Sequence, residues 1–164
     1  MFEVSQTIAY SSIGACKINE IAKNNLTGEL REYYVLQPVN NEKNVIYVPV
    51  DNEKLVSRIH ILPTTKELKL LISQVKDDSL DWIDNTVERS QKFRSILADG
   101  DLKNNMILLR ALHKRSLYLT GIGRHLPKSD EYIYKDCSKL VVSQISAVLG
   151  VADDEALKMV FCDE

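Results

Sequence analysis

The sequence predicts an α+β protein, with a small closed or half-closed β-barrel first and a bundle of about four or five helices after it. Three observations lead there. Up to about residue 62 the apolar residues fall in short β-branched and aromatic runs separated by turn signals. After Pro63 the apolar spacing lengthens to that of amphipathic helices. The length, 164 residues, holds one ordinary domain or two small ones. The change of period divides the chain into residues 1–62 and 63–164.

The strand runs are "TIAYSSI", "ACKINEIA", "REYYVLQPV", "NVIYVPV" and "SRIHIL", with turn signals "NNLTG" and "NNEKN" between them. A barrel this small fills its own interior with side chains and encloses no substrate, so its usable surfaces are loops and strand edges. The hairpin "REYYVLQPVNNEKNVIYVPVDN" is either such a recognition surface, open to pairing with a partner's strand, or purely structural. Strand alternation sends Tyr33 and Tyr34 to opposite faces, which predicts one buried and one exposed ring.

In the second half, "TTKELKLLISQVK" places Leu68, Leu71, Ile72 and Val75 at helical spacing, with Thr64 or Thr65 as the cap. A charged connector, "DDSLDWIDN", leads into "TVERSQKFRSILADGD", a helix that ends where Gly100 is free to turn left-handed. Asp101 then caps a helix whose Leu102, Met106, Leu109 and Leu112 form the core stripe, with Lys103, Arg110 and Lys114 on another face. "TGIGRHLPKS" is a loop; its GxG has neither a preceding strand nor a third glycine, so it is no phosphate cradle. A long helix starts near Pro127 or Ser129 and stops at Gly150, burying Ile133, Cys137, Leu140, Val141, Gln144 and Val148. Asp153 is the expected cap of a short last helix with Leu157, Val160 and Phe161 inward.

Charge is unevenly placed. The net charge is only −2, yet residues 89–128 hold nine basic residues against two acidic ones, a net of +7. That block is either a solvated helical face or a surface for a polyanion. The N-terminus lacks a basic start and apolar stretch, which predicts a cytoplasmic protein, and no run is long enough to span a bilayer. Three scattered cysteines read as reduced thiols, and three histidines without ligand spacing imply no zinc site and no cofactor. With no paired acid–base set and no nucleophile motif, an enzyme is not expected.

"FEVSQTIAYSSIGACKINEI", "TGELREYYVLQP", "IYVPVDN" and "RSILADGDL…LLRALHKR" together resemble the CarD/CdnL group of bacterial transcription regulators, in the same order along nearly the whole chain. The resemblance implies a Tudor-like barrel that binds the β-lobe of the RNA polymerase β subunit, like the module of transcription-repair coupling factors. It also implies a helical domain that contacts promoter DNA, largely without reading sequence, and stabilises the open complex. By position, the polymerase contacts fall on Asn24, Leu26 and Tyr47. The DNA contacts fall on Arg89, Lys92, Arg110, Lys114 and Arg115, and on Trp82, which is either a minor-groove wedge or, between Asp81 and Asp84, a ring packed between domains. The chain departs from the pattern in places: the family often has arginine at Tyr47 and a basic residue at Asn24, and its tryptophan aligns with Thr86, four residues after Trp82. A monomer is expected, since no self-complementary apolar stripe stands out. The competing reading is a protein–protein adaptor with a docking barrel and no role on DNA.

Overall fold

A computed structural model describes residues 1–11 and 13–162. All five expected strands form: β1 (Thr7–Tyr10), β2 (Gly14–Asn24), β3 (Arg31–Pro38), β4 (Ile46–Pro49) and β5 (Ile59–Ile61). They make one antiparallel sheet in the order β4-β3-β2-β1-β5. The expected barrel does not close, because β4 and β5 are the two edges and share no ladder. The chain between them forms a short helix instead, α1 (Glu53–Val56), capped by Asn52, whose Oδ1 accepts from Leu55 N. Leu55 and Val56 pack on the core formed by Ile8, Tyr10, Cys16, Ile18, Tyr34, Leu36, Val48 and Ile59. Side chains from a turn of helix therefore cover the interior where a closed ladder would have done so.

A register shift between Ile18 and Glu20 marks a bulge in β2. Beyond it, Glu20, Ala22 and Asn24 lie across from Val35, Tyr33 and Arg31 on the outer face of the sheet. Tyr33 and Tyr34 do point to opposite faces, but both are buried, each 2% exposed. The expectation of one exposed ring fails because the outer face has a roof of its own. The Tyr47 ring from β4 meets Tyr33 edge-on, with centroids 6.2 Å apart. Tyr34 lies in the inner core against Phe2, whose backbone N–H donates to its hydroxyl.

The helical half follows as α2 (Thr65–Gln74), α3 (Thr86–Asp99), α4 (Leu102–Gly121), α5 (Lys128–Leu149) and α6 (Asp153–Phe161). Thr64 caps α2 in a reciprocal box with Glu67, and the bond from Thr64 holds the Glu67 carboxyl below its ordinary pKa. Gly100 ends α3 at φ 72°, and Asp101 Oδ1 accepts from Asn104 N to start α4. At α6 the cap is Ala152 rather than Asp153, which is the first helical residue and accepts from Ser146 Oγ. The expected stripe of α4 is buried, together with Leu108. In α5 the buried set widens to six consecutive residues, Leu140 and Val141–Ile145, because this helix packs on the bundle and on the sheet at once. Among the described residues no helix is long and apolar enough to cross a membrane.

The two halves meet where β2 crosses α5. Gly14, at φ 100°, brings its backbone so near α5 that a Cβ there would lie 2.2 Å from Ser143 Oγ and 3.3 Å from the Leu140 backbone. The next residue, Ala15, donates its N–H to Ser143 Oγ at 3.0 Å, and Ser143 in turn donates to Leu140 O. Nearby, Ser11 Oγ donates to Ala98 O at the end of α3. Gly14→Ala combines a left-handed strain with overpacking against backbone, and is expected to cost about 2–4 kcal/mol in urea unfolding. A loss below about 0.5 kcal/mol, the scatter of ordinary surface substitutions, would show that this seam is loosely packed.

Candidate functional site

Two surfaces collect the residues that sequence reasoning singled out. The first is the outer face of β2, β3 and β4, at the end away from α5. Strand register puts Tyr47 beside Val35 and Glu20, and Asn24 beside Arg31. These two rows are four residues apart on the same face, roughly 13 Å at the rise of a strand. Tyr47 is 41% exposed and Leu26, in the turn after β2, is 52% exposed. Asn24 is half-buried, with its Oδ1 accepting from Asn25 N to shape that turn.

Sequence reasoning missed Leu30, which stands 71% exposed in the same turn as Leu26. Two leucines in a polar turn between strands, "NNLTGELR", were the available signal. Arg31 on this face pairs with Glu29 at 2.7 Å and with Asp51 at 3.8 Å, and the exposed Glu20 beside Tyr47 leaves the face with an excess of negative charge. The hydrogen bond that Arg31 donates to Glu29, then the charge of Asp51, raises the guanidinium pKa further. What the face offers a partner is therefore an aromatic ring and two exposed leucines around a neutralised arginine.

The second surface is the helical half, where the basic residues separate into two groups. Arg89 is only 3% exposed. Its Nη2 meets the fully buried Asp130 carboxylate at 2.8 Å, its Nε donates to the same group, and its Nη1 donates to Ile83 O and Asp84 O. Its guanidinium also lies 4.8 Å from the centroid of Trp82. Arg110 is 4% exposed and donates to Val160 O, a last-turn carbonyl of α6 where a cation complements the helix dipole.

The shared cationic face expected for Lys103, Arg110 and Lys114 is thereby corrected, since α6 covers Arg110. Arg89 is likewise withdrawn from any phosphate-binding surface. Lys103 is half-exposed and pairs with Asp78 at 3.0 Å. Lys92, Arg94, Lys114, Arg124 and Lys128 are the cations of this block that face solvent.

Trp82 is not a free-standing ring. It packs edge-on against Phe93 of the bundle core at 5.8 Å, and Arg115 lies over it at 5.1 Å in addition to Arg89. Arg115 is half-buried and also covers Tyr118. The indole thus anchors the connector between α2 and α3, with two guanidinium groups on it.

Burial pushes the Cys16 thiol up to about 12 and raises Cys137 further, so both are protonated at neutral pH. His113 stacks on Phe161 at 3.8 Å and shares a hydrogen bond with the Tyr134 hydroxyl; burial, then the charge of Arg110, lowers its pKa. Among the described residues no group of three or more His, Cys, Asp or Glu is placed to hold a metal ion.

Sheet, bulge and exposed face define a small β interaction module mounted on a helical bundle. Residues 2–60 match the family model described as the CarD-like/TRCF RID domain, and the N-terminal module is a domain of that family, whose members are polymerase-interacting modules. A search of curated proteins returned no match to this chain.

The Arg89–Asp130 pair generates a stability prediction. Arg89→Met leaves a buried carboxylate uncompensated and is expected to cost about 3–5 kcal/mol. Arg89→Met combined with Asp130→Leu should recover most of that loss in urea unfolding, because no orphan charge remains. A double variant as unstable as the single one would mean that packing around Trp82, rather than charge, sets the cost.

Proposed function

We propose that the protein is a non-enzymatic transcription regulator that binds the RNA polymerase β subunit through the outer face of β2–β4 and presents its helical half to promoter DNA. The observation that carries this reading is the coincidence of the family match over residues 2–60 with the exposed Tyr47, Leu26 and Leu30 on the side of the module away from α5. The face is aromatic and apolar, with Arg31 neutralised and an acidic excess from Glu20, so the contact is dominated by burial of ring and leucine surface. Pro49 removes a backbone donor from the free edge at β4, which favours side-chain recognition by the face over an extended strand pairing.

On the DNA side, Lys92, Lys114, Arg94, Arg124 and Lys128 supply solvent-facing cations that suit phosphate contacts without sequence readout. Binding the melted state better than the closed duplex would shift promoter opening with no covalent step. Trp82 serves in this scheme by anchoring the connector ahead of α3, which carries Lys92 and Arg94. With polymerase as the tether, weak intrinsic DNA affinity suffices, since docking raises the local concentration.

The adaptor reading draws on a different observation. Leu117, Tyr118, Ile122 and Tyr132 are all exposed near the junction of α4 and α5, an apolar surface that suits a protein better than phosphate. Salt separates the two readings. DNA contact predicts that log affinity for the promoter complex falls with log salt by about 0.9 per phosphate contact, whereas a protein contact of this kind is nearly insensitive.

The polymerase contact is tested by titrating the full chain against the isolated β-lobe, with Tyr47→Ala and Leu26→Ala beside the parent. Loss of a central aromatic anchor is expected to weaken binding by tenfold or more. Unchanged affinity in folded variants would remove this face from the contact.

A further inference from the structure

A cavity of about 240 Å³ opens beside Trp82, between the start of α3, the end of α4 and the loop that precedes α5. Its wall includes Trp82, Asp84, Thr86, Arg89, Arg115, Leu119, Arg124 and His125. Arg89 is already neutralised by Asp130, but Arg115 and Arg124 have no ion-pair partner among the described residues. Arg115 Nε is buried and lacks a hydrogen-bond acceptor among those residues. Stacking on Trp82 and Tyr118 satisfies the faces of this guanidinium and leaves its in-plane N–H donors to be met. A desolvated donor of this kind costs about 1–3 kcal/mol unless it is paired.

From this we infer that the Trp82 cavity is a binding site for a phosphoryl group. Its lining draws donor-bearing residues from three segments: Arg115 from α4, Arg124 and His125 from the loop, and Thr86 as the first residue of α3, where the helix dipole is positive. Arginine forks match phosphate oxygens in pairs, and several donors from different directions suit a tetrahedral dianion better than a planar carboxylate. The volume lies below the roughly 300–1,000 Å³ of sites that enclose whole drug-sized ligands. It therefore fits the phosphoryl group, with the rest of its carrier left outside. Asp84 is the one carboxylate on the wall, and it opposes an anion. The inference does not rest on the polymerase contact; where the phosphoryl group is that of DNA, it deepens the promoter-DNA reading above. The same phosphoryl chemistry has two sources, a small phosphate monoester or the backbone of DNA.

Trp82 is the single tryptophan of the chain, so its emission reports directly on this wall. The full chain is titrated at constant ionic strength with inorganic phosphate, adenosine monophosphate, adenosine and a short DNA duplex. A saturable change with phosphate and the monophosphate, absent with adenosine, is expected. Arg124→Gln, at a solvent-facing position, should weaken it about tenfold, and Asp84→Asn should tighten it because a repelling charge is gone. Opposite responses of the two variants are what a general loss of folding would not produce. A response to duplex alone, with the same dependence on Arg124 and Asp84, assigns the phosphoryl group to DNA. No saturable change with any phosphate-bearing probe, or one that adenosine reproduces or that neither variant alters, overturns the inference.

Discussion

The contact on which the arrangement depends is the crossing of β2 over α5 at Gly14. Only a residue without Cβ lets the strand backbone lie against Ser143, and only then does the Ala15 N–H reach the serine oxygen. The same crossing explains why α5 is buried on more than one side and why the outer sheet face is divided. Near Ala9 and Ala15 that face is closed, whereas toward Asn24, Tyr33 and Tyr47 it carries the exposed ring and leucines. The Tyr47 face and the basic helices are thereby held in one relative orientation. Under the proposed function, that orientation decides whether polymerase and DNA can be engaged together.

Within the helical half, a buried ion pair does comparable organising. Asp130 at the start of α5 holds Arg89 of α3, and Arg89 in turn holds the backbone of the connector at Ile83 and Asp84 and lies on Trp82. Its energetic worth resides mainly in specificity, since an apolar replacement of both partners is often tolerated while removal of one is not. The geometry also accounts for the uncompensated cation nearby. Trp82 holds two guanidinium groups, and only one of them has a carboxylate, so the positive charge of Arg115 is left directed at the cavity.

Much of the architecture was legible in the residues. The five strands, the Thr64 and Asp101 caps, the left-handed Gly100 and the apolar stripe of α4 follow from local patterns that tertiary contacts did not override. Three features were not legible, each for a physical reason. Barrel closure depends on whether two short edge strands meet, and a four-residue helix between them decided otherwise. Alternation assigned Tyr33 to the outer face correctly but could not show that Tyr47, fourteen residues on and in the neighbouring strand, covers it. The charge count of residues 89–128 was sound as arithmetic, yet burial of Arg89 and Arg110 divides it, and burial comes from partners as distant as Asp130 and Val160. Of the site residues, Tyr47 and Leu26 are exposed. Trp82 is the instructive case, since an acidic connector concealed the two arginines that fold back onto its ring.

The central claim is that the Tyr47 face, and no other part of the module, meets the polymerase β subunit. The most direct measurement is site-specific photo-crosslinking in the assembled polymerase–promoter complex. A benzophenone amino acid replaces Tyr47 in one variant and, in the other, Ile61, an exposed residue on β5 at the opposite edge of the sheet. The account predicts a crosslink to β from position 47 and none from position 61. A β crosslink from position 61 alone, or products from position 47 that contain only other subunits, would contradict it.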